Sequence, residues 1–354
     1  MSAPRIAVNA LPYWSRDGKS KEVFARALAD FAAIGYAAVK ADVPDGMSPA
    51  EYLDWIGGYG LAPSVSLFSS AFDETVDISA EVERAKAFAA VQLELGLDRT
   101  MVSSLWVEAR RSRPAVGADF RPDRLARAIE SCGIVCQALR SEGLRPLHHS
   151  HVGGVFETEA EISTLLDQLG PDVVGIGPDT GHLRWAGTEP GPFIARYADR
   201  IGAIHLKDCF PDYLDPVAAD DLGYGELSHS RRLWCEPGLG VVDFDAVLAA
   251  MPDDYDGDFM IEIDVPSVDS YFESHRIAYE WAEAHLPVQD GTVAGAGAAA
   301  PELAIPDYDS LSASQVLPRL SGLSPAELEA VRAHEATHRG RKTILSKVTQ
   351  LQAS

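Results

Sequence analysis

Acids and histidines gather at four points in the middle and later parts of the chain: His148, His149 and His151 with Glu157 soon after, Asp179 and His182 in PDTGH, His205, Lys207 and Asp208 in HLKD, and Glu262 and Asp264 in MIEID. Each group falls where an apolar, β-rich run stops. Two or three carboxylates with one or two imidazoles can hold a divalent ion through mixed oxygen and nitrogen ligands, and manganese, cobalt, magnesium or zinc all suit such a set. Imidazoles that titrate near neutrality also suit general-base work. One such acid alone is ordinarily a helix cap or an ion-pair partner, and one such histidine a satisfied core residue. Four strand ends in succession that carry them read as one site.

The elements that must position these groups alternate. Eight β-rich runs begin at Arg5, Tyr36, Ala62, Arg99, Leu144, Asp172, Gly202 and Asp258. Between them lie segments with helical spacing, such as Val23, Phe24, Ala27, Leu28 and Phe31. Ser48 with Glu51, and Thr158 with Glu161, fit capping boxes at helix starts. Gly35, Gly60, Gly96 and Gly143 stand where helices should end. Eight strands alternating with helices predict a (β/α)8 TIM barrel, an α/β fold whose strand carboxyl ends form the active face. An open doubly wound sheet is the alternative, but it would ordinarily carry a glycine-rich nucleotide loop after its first strand, and VNALPYWS has none. Strand alternation puts Glu262 and Asp264 on one face and Ile261 and Ile263 on the other; His149 and His151 share a face in the same way.

Composition narrows the partners. A net charge of −23, from 53 acids against 30 Lys and Arg, repels phosphate backbones and argues against a nucleic-acid partner. Four dispersed cysteines without CxxC pairs argue against a disulfide scaffold or a structural zinc site, and Cys132 and Cys136 read as buried free thiols. No secretory leader pattern and no apolar run of about 18 residues is present, so a cytoplasmic protein without membrane contact is expected. From Val288 the composition turns to Gly, Ala and Pro. The expected organisation is a catalytic barrel over 1–287, a flexible linker over 288–306 and a short C-terminal helical extension over 307–354. The basic run Arg339, Arg341, Lys342 and Lys347 is a solvated helix face or a contact for an acidic partner or another subunit.

The segments PDTGHLRWAG, RYADRIGAIHLKD, EPGLGVVDF and FMIEIDVP together resemble the sugar isomerase and epimerase branch of the xylose-isomerase-like barrels, over roughly Arg5 to Leu286. Within that branch the chain is similar to the inosose dehydratases and to the larger subunits of bacterial C-glycoside deglycosidases. The resemblance implies one divalent metal ion, manganese before cobalt, magnesium or zinc. Its implied ligands are Asp179, His205, Glu262 and a group after the fifth strand, Glu157 ahead of His149. It implies removal of a proton next to a carbonyl, with His149 or His151 as base and Lys207 as donor or substrate anchor, then β-elimination from the enediolate: a lyase acting on a keto-sugar, 3-keto-glycoside or keto-cyclitol. His182, Trp14, Lys40, Arg184 and Asp264 are expected at the substrate. Reprotonation instead of elimination would make an isomerase or epimerase of a free or phosphorylated ketose. An apurinic endonuclease on the same barrel is disfavoured by the charge and by too few ligands for several metals. The alternative of another class is a non-catalytic barrel that binds a partner through its C-terminal helices. A homo-oligomer, or a hetero-oligomer with a small subunit, is expected.

Overall fold

The structure is a computed structural model that describes residues 4–215 and 222–288 and, beyond them, 304–305, 308, 311, 313–324, 327–328, 331–332, 334–335 and 341–352. The chain divides into two compact units, Met1–Asp290 and Gly291–Ser354.

The first unit is the barrel. Its strands are β1 (Ile6–Val8), β2 (Ala38–Lys40), β3 (Ala62–Ser64), β4 (Leu67–Ser70), β5 (Arg99–Ser104), β6 (Arg145–His148), β7 (Gly175–Ile176), β8 (Ile204–Leu206), β9 (Asp208–Cys209), β10 (Trp234–Cys235) and β11 (Phe259–Ile261). Parallel pairing runs β3-β2-β1-β11-β8 in one sheet and β4-β5-β6-β7 in another. Two connections close the ring. Parallel bridges from Ile176 to Ile201 and from Asp179 to His205 join β7 to the β8 side. On the other side the chain itself passes from β3 to β4 through Val65 and Ser66, and the Ser66 carbonyl accepts from Met101 N at 2.9 Å.

The run from Ala62, expected as one strand, is therefore two. Its first half pairs with β2 and its second with β5. With β3 and β4 counted as one position, eight positions surround the axis. The antiparallel ribbon of β9 and β10 was not legible as strands.

Alternation along each strand sorts the core into layers. Ala7, Ala38, Val65, Met101, Leu147, Ala203 and Met260 point inward and fill the barrel axis with mixed small and large side chains, so the site above them has a floor. Their outward neighbours, such as Val8, Val39, Ile261 and Ile263 on one side and Val102 and Ile176 on the other, pack against the helices. Both capping boxes form, at Ser48 with Glu51 and at Thr158 with Glu161. Gly35 ends the helix Lys21–Ile34 at φ +118°, a left-handed conformation, with Tyr279 Oη 3.0 Å from where a Cβ would sit. All four cysteines are buried and free.

The second unit has its own core of Ile305, Tyr308, Val316, Leu320, Leu328, Val331, Ile344 and Val348, with helices Ala313–Leu320 and Lys342–Gln352. Most of the expected linker lies outside the described residues, but Ile305 belongs to this core. Arg341, read from sequence as part of a solvated or partner-facing basic run, turns inward instead: Glu335 accepts from its backbone N and from Nε, each at 2.9 Å, and from Tyr308 Oη at 2.7 Å. Arg339 lies outside the described residues. Among the described residues no helix is long and apolar enough to cross a membrane.

Candidate metal and active site

The stretch after β7 shows how the site is assembled. Asp179 is the N-cap of the helix Thr180–Trp185, its Oδ1 accepting from His182 N at 3.0 Å. That leaves Oδ2 for other work; it faces Lys207 Nζ at 3.1 Å but accepts no well-aligned hydrogen bond. Thr180 Oγ1 accepts from Lys207 N at 2.9 Å and donates to Lys207 O at 2.7 Å, tying the helix start to the end of β8. Gly181 lets the two approach, since a Cβ there would lie 2.6 Å from Lys207 Cγ. The PDTGH and HLKD motifs are one physical unit.

Around it the other strand ends converge. His149, Asp179 and His205 each bring one ligand-type atom to within 4.8 Å of the others. Glu262 joins them through an ion pair with His205 Nδ1, and the rings of His149 and His205 lie 4.6 Å apart. Among these buried atoms His205 Nε2 has no hydrogen-bond partner, while Asp179 Oδ2 and the facing Glu262 Oε2 and His205 Nδ1 make charge contacts without a well-aligned hydrogen bond. Leaving such groups without aligned hydrogen bonds is costly, and a divalent ion that accepts oxygen and nitrogen donors would satisfy them together. His149 Nδ1 lies 2.9 Å from the Gly177 carbonyl oxygen, which fixes its proton there and leaves Nε2 bare, the arrangement a ligating imidazole uses.

Lys207 is fully buried and balances the charge. Its Nζ lies 3.1 Å from Asp179, 3.3 Å from Glu262 and 2.8 Å from Asp264. Burial opposes its charge, but the three carboxylates hold the ammonium well above its ordinary range. Burial also opposes ionisation of Glu262, yet Lys207 and His205 hold it well below the usual carboxylate range. For Asp179 and Asp264 burial prevails and each is raised. Burial lowers the imidazoles of His149, His151 and His182, keeping them neutral at pH 7.

Beside this group stands a second one, His151, His182 and Asp264, again with ligand-type atoms within 4.8 Å. Aromatic rings enclose it: Trp106 is 5.3 Å from His151, Trp234 is 4.9 Å from His182, and Tyr224 lies 4.6 Å from Trp106 and 5.0 Å from Trp185. Sequence reasoning missed this wall, because the rings come from four separate segments with no shared spacing.

Other expected positions lie elsewhere. Glu157, ranked first as the ligand after the fifth strand, does not join the group. Its carboxylate accepts from the backbone N of Ala115 at 2.9 Å, Gly117 at 2.8 Å and Gly153 at 2.8 Å, so both oxygens are committed to holding loops together. His149 occupies the place instead. Trp14 sits in the outer layer against Phe24 and Lys19 and lines a separate cavity of about 930 Å³ with Trp55 and Gln92, which includes no member of either histidine group. Lys40 pairs with Asp42 at 2.6 Å, and Arg184 lies 3.4 Å from Glu189; among the described residues neither forms an ion pair with the two groups. Asp208, the last residue of HLKD, accepts from backbone N of Cys209, Gly238, Gly240 and Val242, at 2.8 to 3.0 Å, and anchors the EPGLG loop.

A closed eight-position α/β barrel with buried acids and imidazoles at its strand carboxyl ends defines the class. The family model described as the xylose isomerase-like TIM barrel matches residues 28–285, and the chain belongs to that family. It is 26% identical over 266 residues to the inosose dehydratase of Geobacillus kaustophilus (strain HTA426), covering 72% of this chain and 85% of that protein. It is 33% identical over 153 residues to the inosose dehydratase of Bacillus cereus (strain AH820), covering 43% of this chain but only 50% of that protein. Among solved structures it resembles the IolI protein with a binding zinc atom, at TM-score 0.57 and 13% identity, covering 79% of this chain and 95% of that one.

Proposed function

We propose that this protein is a divalent-ion-dependent lyase acting on a keto-sugar, 3-keto-glycoside or keto-cyclitol, which removes the proton next to the ketone and expels the substituent on the following carbon. The observation that carries this reading is the buried convergence of ligand-type atoms on His149, Asp179 and His205, with Glu262 against His205 and His205 Nε2 left without a hydrogen-bond partner, beside a second pair of neutral imidazoles. His149, Asp179, His205 and Glu262 would hold the ion, and Lewis acidity toward the ketone is the chemistry it supplies when bound.

The protein's own groups supply the rest. Lys207 neutralises the carboxylates and places an ammonium beside any oxygen that gains charge. The neutral imidazole of His151 has the character of a proton acceptor at pH 7. The buried rings of Trp185 and Trp234, with Tyr224 and the exposed Trp106 at the rim, limit the water around these groups, which strengthens the charge interactions beside them. The names of the relatives support elimination, since a dehydratase breaks a carbon–oxygen bond, and the zinc in IolI supports a divalent ion.

The test has two parts. Purified protein, supplemented with manganese, cobalt, magnesium or zinc, is analysed for bound metal, with about one ion per chain expected. It is then offered keto-inositols, 3-keto-glycosides and ketose phosphates in deuterated water. Loss of the β-substituent with deuterium entering next to the carbonyl is expected. No bound ion, or an epimer or isomer as the only product, would overturn the reading.

A further inference from the structure

The second group of side chains is the part of the cleft that holding an ion does not use. His151 and His182 face each other with ring centroids 3.7 Å apart, and Asp264 Oδ2 lies 3.8 Å from His182 Nε2. By distance alone the trio could take a second cation. The hydrogen bonds point elsewhere.

Val152 N donates to His182 Nδ1 at 3.3 Å, so that nitrogen is bare and the neutral ring carries its proton on Nε2. His151 Nδ1 lies 2.8 Å from the Val152 carbonyl oxygen, which can only accept, so the proton of that ring is on Nδ1 and its Nε2 is bare. The two peptide groups of one residue thus hold neighbouring imidazoles in opposite tautomers. A ring that keeps its Nε2 proton offers a cation no lone pair there, and Lys207 Nζ already lies 2.8 Å from Asp264 Oδ1. His182 Nε2 is buried with no hydrogen-bond partner, a donor without an acceptor.

We propose that His151 carries the proton in the elimination and that His182 is a neutral hydrogen-bond donor to the substrate oxygen that gains charge, the two roles set by Val152. This rests on the lyase reading above. The C–H bond next to the ketone breaks and its proton goes to His151 Nε2. The electron pair moves to the ketone oxygen as an enolate, the charge that His182 meets. Return of a proton from His151 gives exchange. Collapse of the enolate restores the ketone, forms the new C=C bond and breaks the bond to the β-oxygen, which takes the proton from His151 and leaves as water or an alcohol. Nothing is oxidised or reduced. His182 transfers no proton, because giving up the one on Nε2 would leave an imidazolate. Val152 is a positioning residue.

Two measurements test this. In protein labelled with nitrogen-15 at histidine, with His151→Gln and His182→Gln used for assignment, long-range proton–nitrogen spectra should show His151 protonated at Nδ1 and His182 at Nε2. The same tautomer in both rings would overturn the proposal. In deuterated water, with a keto-inositol and a 3-keto-glycoside as probes, His151→Ala and His151→Gln should each lower exchange and elimination at least 10³-fold, since an amide cannot take the proton. His182→Ala should lower both about 10²-fold. His182→Gln, which keeps an N–H donor, should recover most of that loss. Melting curves establish that each variant is folded. Exchange at the wild-type rate in a folded His151→Gln protein, or no recovery in His182→Gln, would overturn the roles. If wild-type protein neither exchanges nor eliminates either probe while the tautomers are as stated, the lyase reading falls and the donor and acceptor assignment stands.

Discussion

Asp179 and Glu157 are both buried acids near strand ends, and the structure separates their work by what their second oxygen meets. Asp179 spends Oδ1 on a helix cap and keeps Oδ2 for the cleft; Glu157 spends both on backbone amides. Asp179→Asn retains a capping oxygen, so the variant should stay folded while bound metal falls below about a tenth of an ion per chain and turnover falls at least 10²-fold. Metal analysis beside a melting curve reads both. Glu157→Gln should do the reverse, leaving metal content unchanged and lowering stability in urea by about 1–3 kcal/mol. A loss of metal in that variant would return Glu157 to the ligand set. Neither outcome was legible in the sequence, which shows an acid at each place but not its partners.

At the scale of elements, the site depends on how closely the helix Thr180–Trp185 approaches β8. Thr180 fixes that approach by exchanging two hydrogen bonds with Lys207, and Gly181 permits it. Gly181→Ala would favour the helix by up to about 1 kcal/mol but push Lys207 from its three carboxylates. The expected result is a thermal midpoint within a few degrees of wild type with turnover lowered at least 10-fold, measured on the same preparation; an unchanged kcat would show that the Lys207 position is not critical. The sequence carried the strand ends, the capping boxes and the alternation of Glu262 and Asp264 with Ile261 and Ile263, because these follow from the period of a strand and the unpaired groups of a helix start. It did not carry the break between β3 and β4 or the β9–β10 ribbon, since which segments pair across the fold leaves no local pattern.

For the whole molecule, buried neutral histidines set an acid limit. His275, packed against Phe31 and Tyr13 far along the chain from either partner, has its pKa lowered by burial to about 4. The unfolded chain then binds the proton more readily than the folded one, so the stability from this residue is present above about pH 6.5 and is lost as pH falls toward 4. Between pH 7 and pH 5 the loss is about 2 kcal/mol, and His275→Gln should remove that part of the slope in urea titrations at the two pH values. A chain ending at Val288 should fold and bind metal with wild-type stoichiometry, because each compact unit has its own core; failure of the shortened chain to fold would show that the units are interdependent.

Residue types and periodicity alone gave the alternating architecture, the expectation of a closed barrel, and the gathering of acids and histidines at successive strand ends, since strand ends in such a barrel meet at one face whatever their separation along the chain; the choice of Asp179, His205 and Glu262 among them came from the family resemblance. Only the tertiary structure decided that His149 stands where Glu157 was expected, that Lys207 is a buried counter-charge, and that His151 and His182 have opposite tautomers. Those are matters of which atom a side chain reaches and which backbone group is already there, and contacts between segments distant in the chain leave no period or spacing to read.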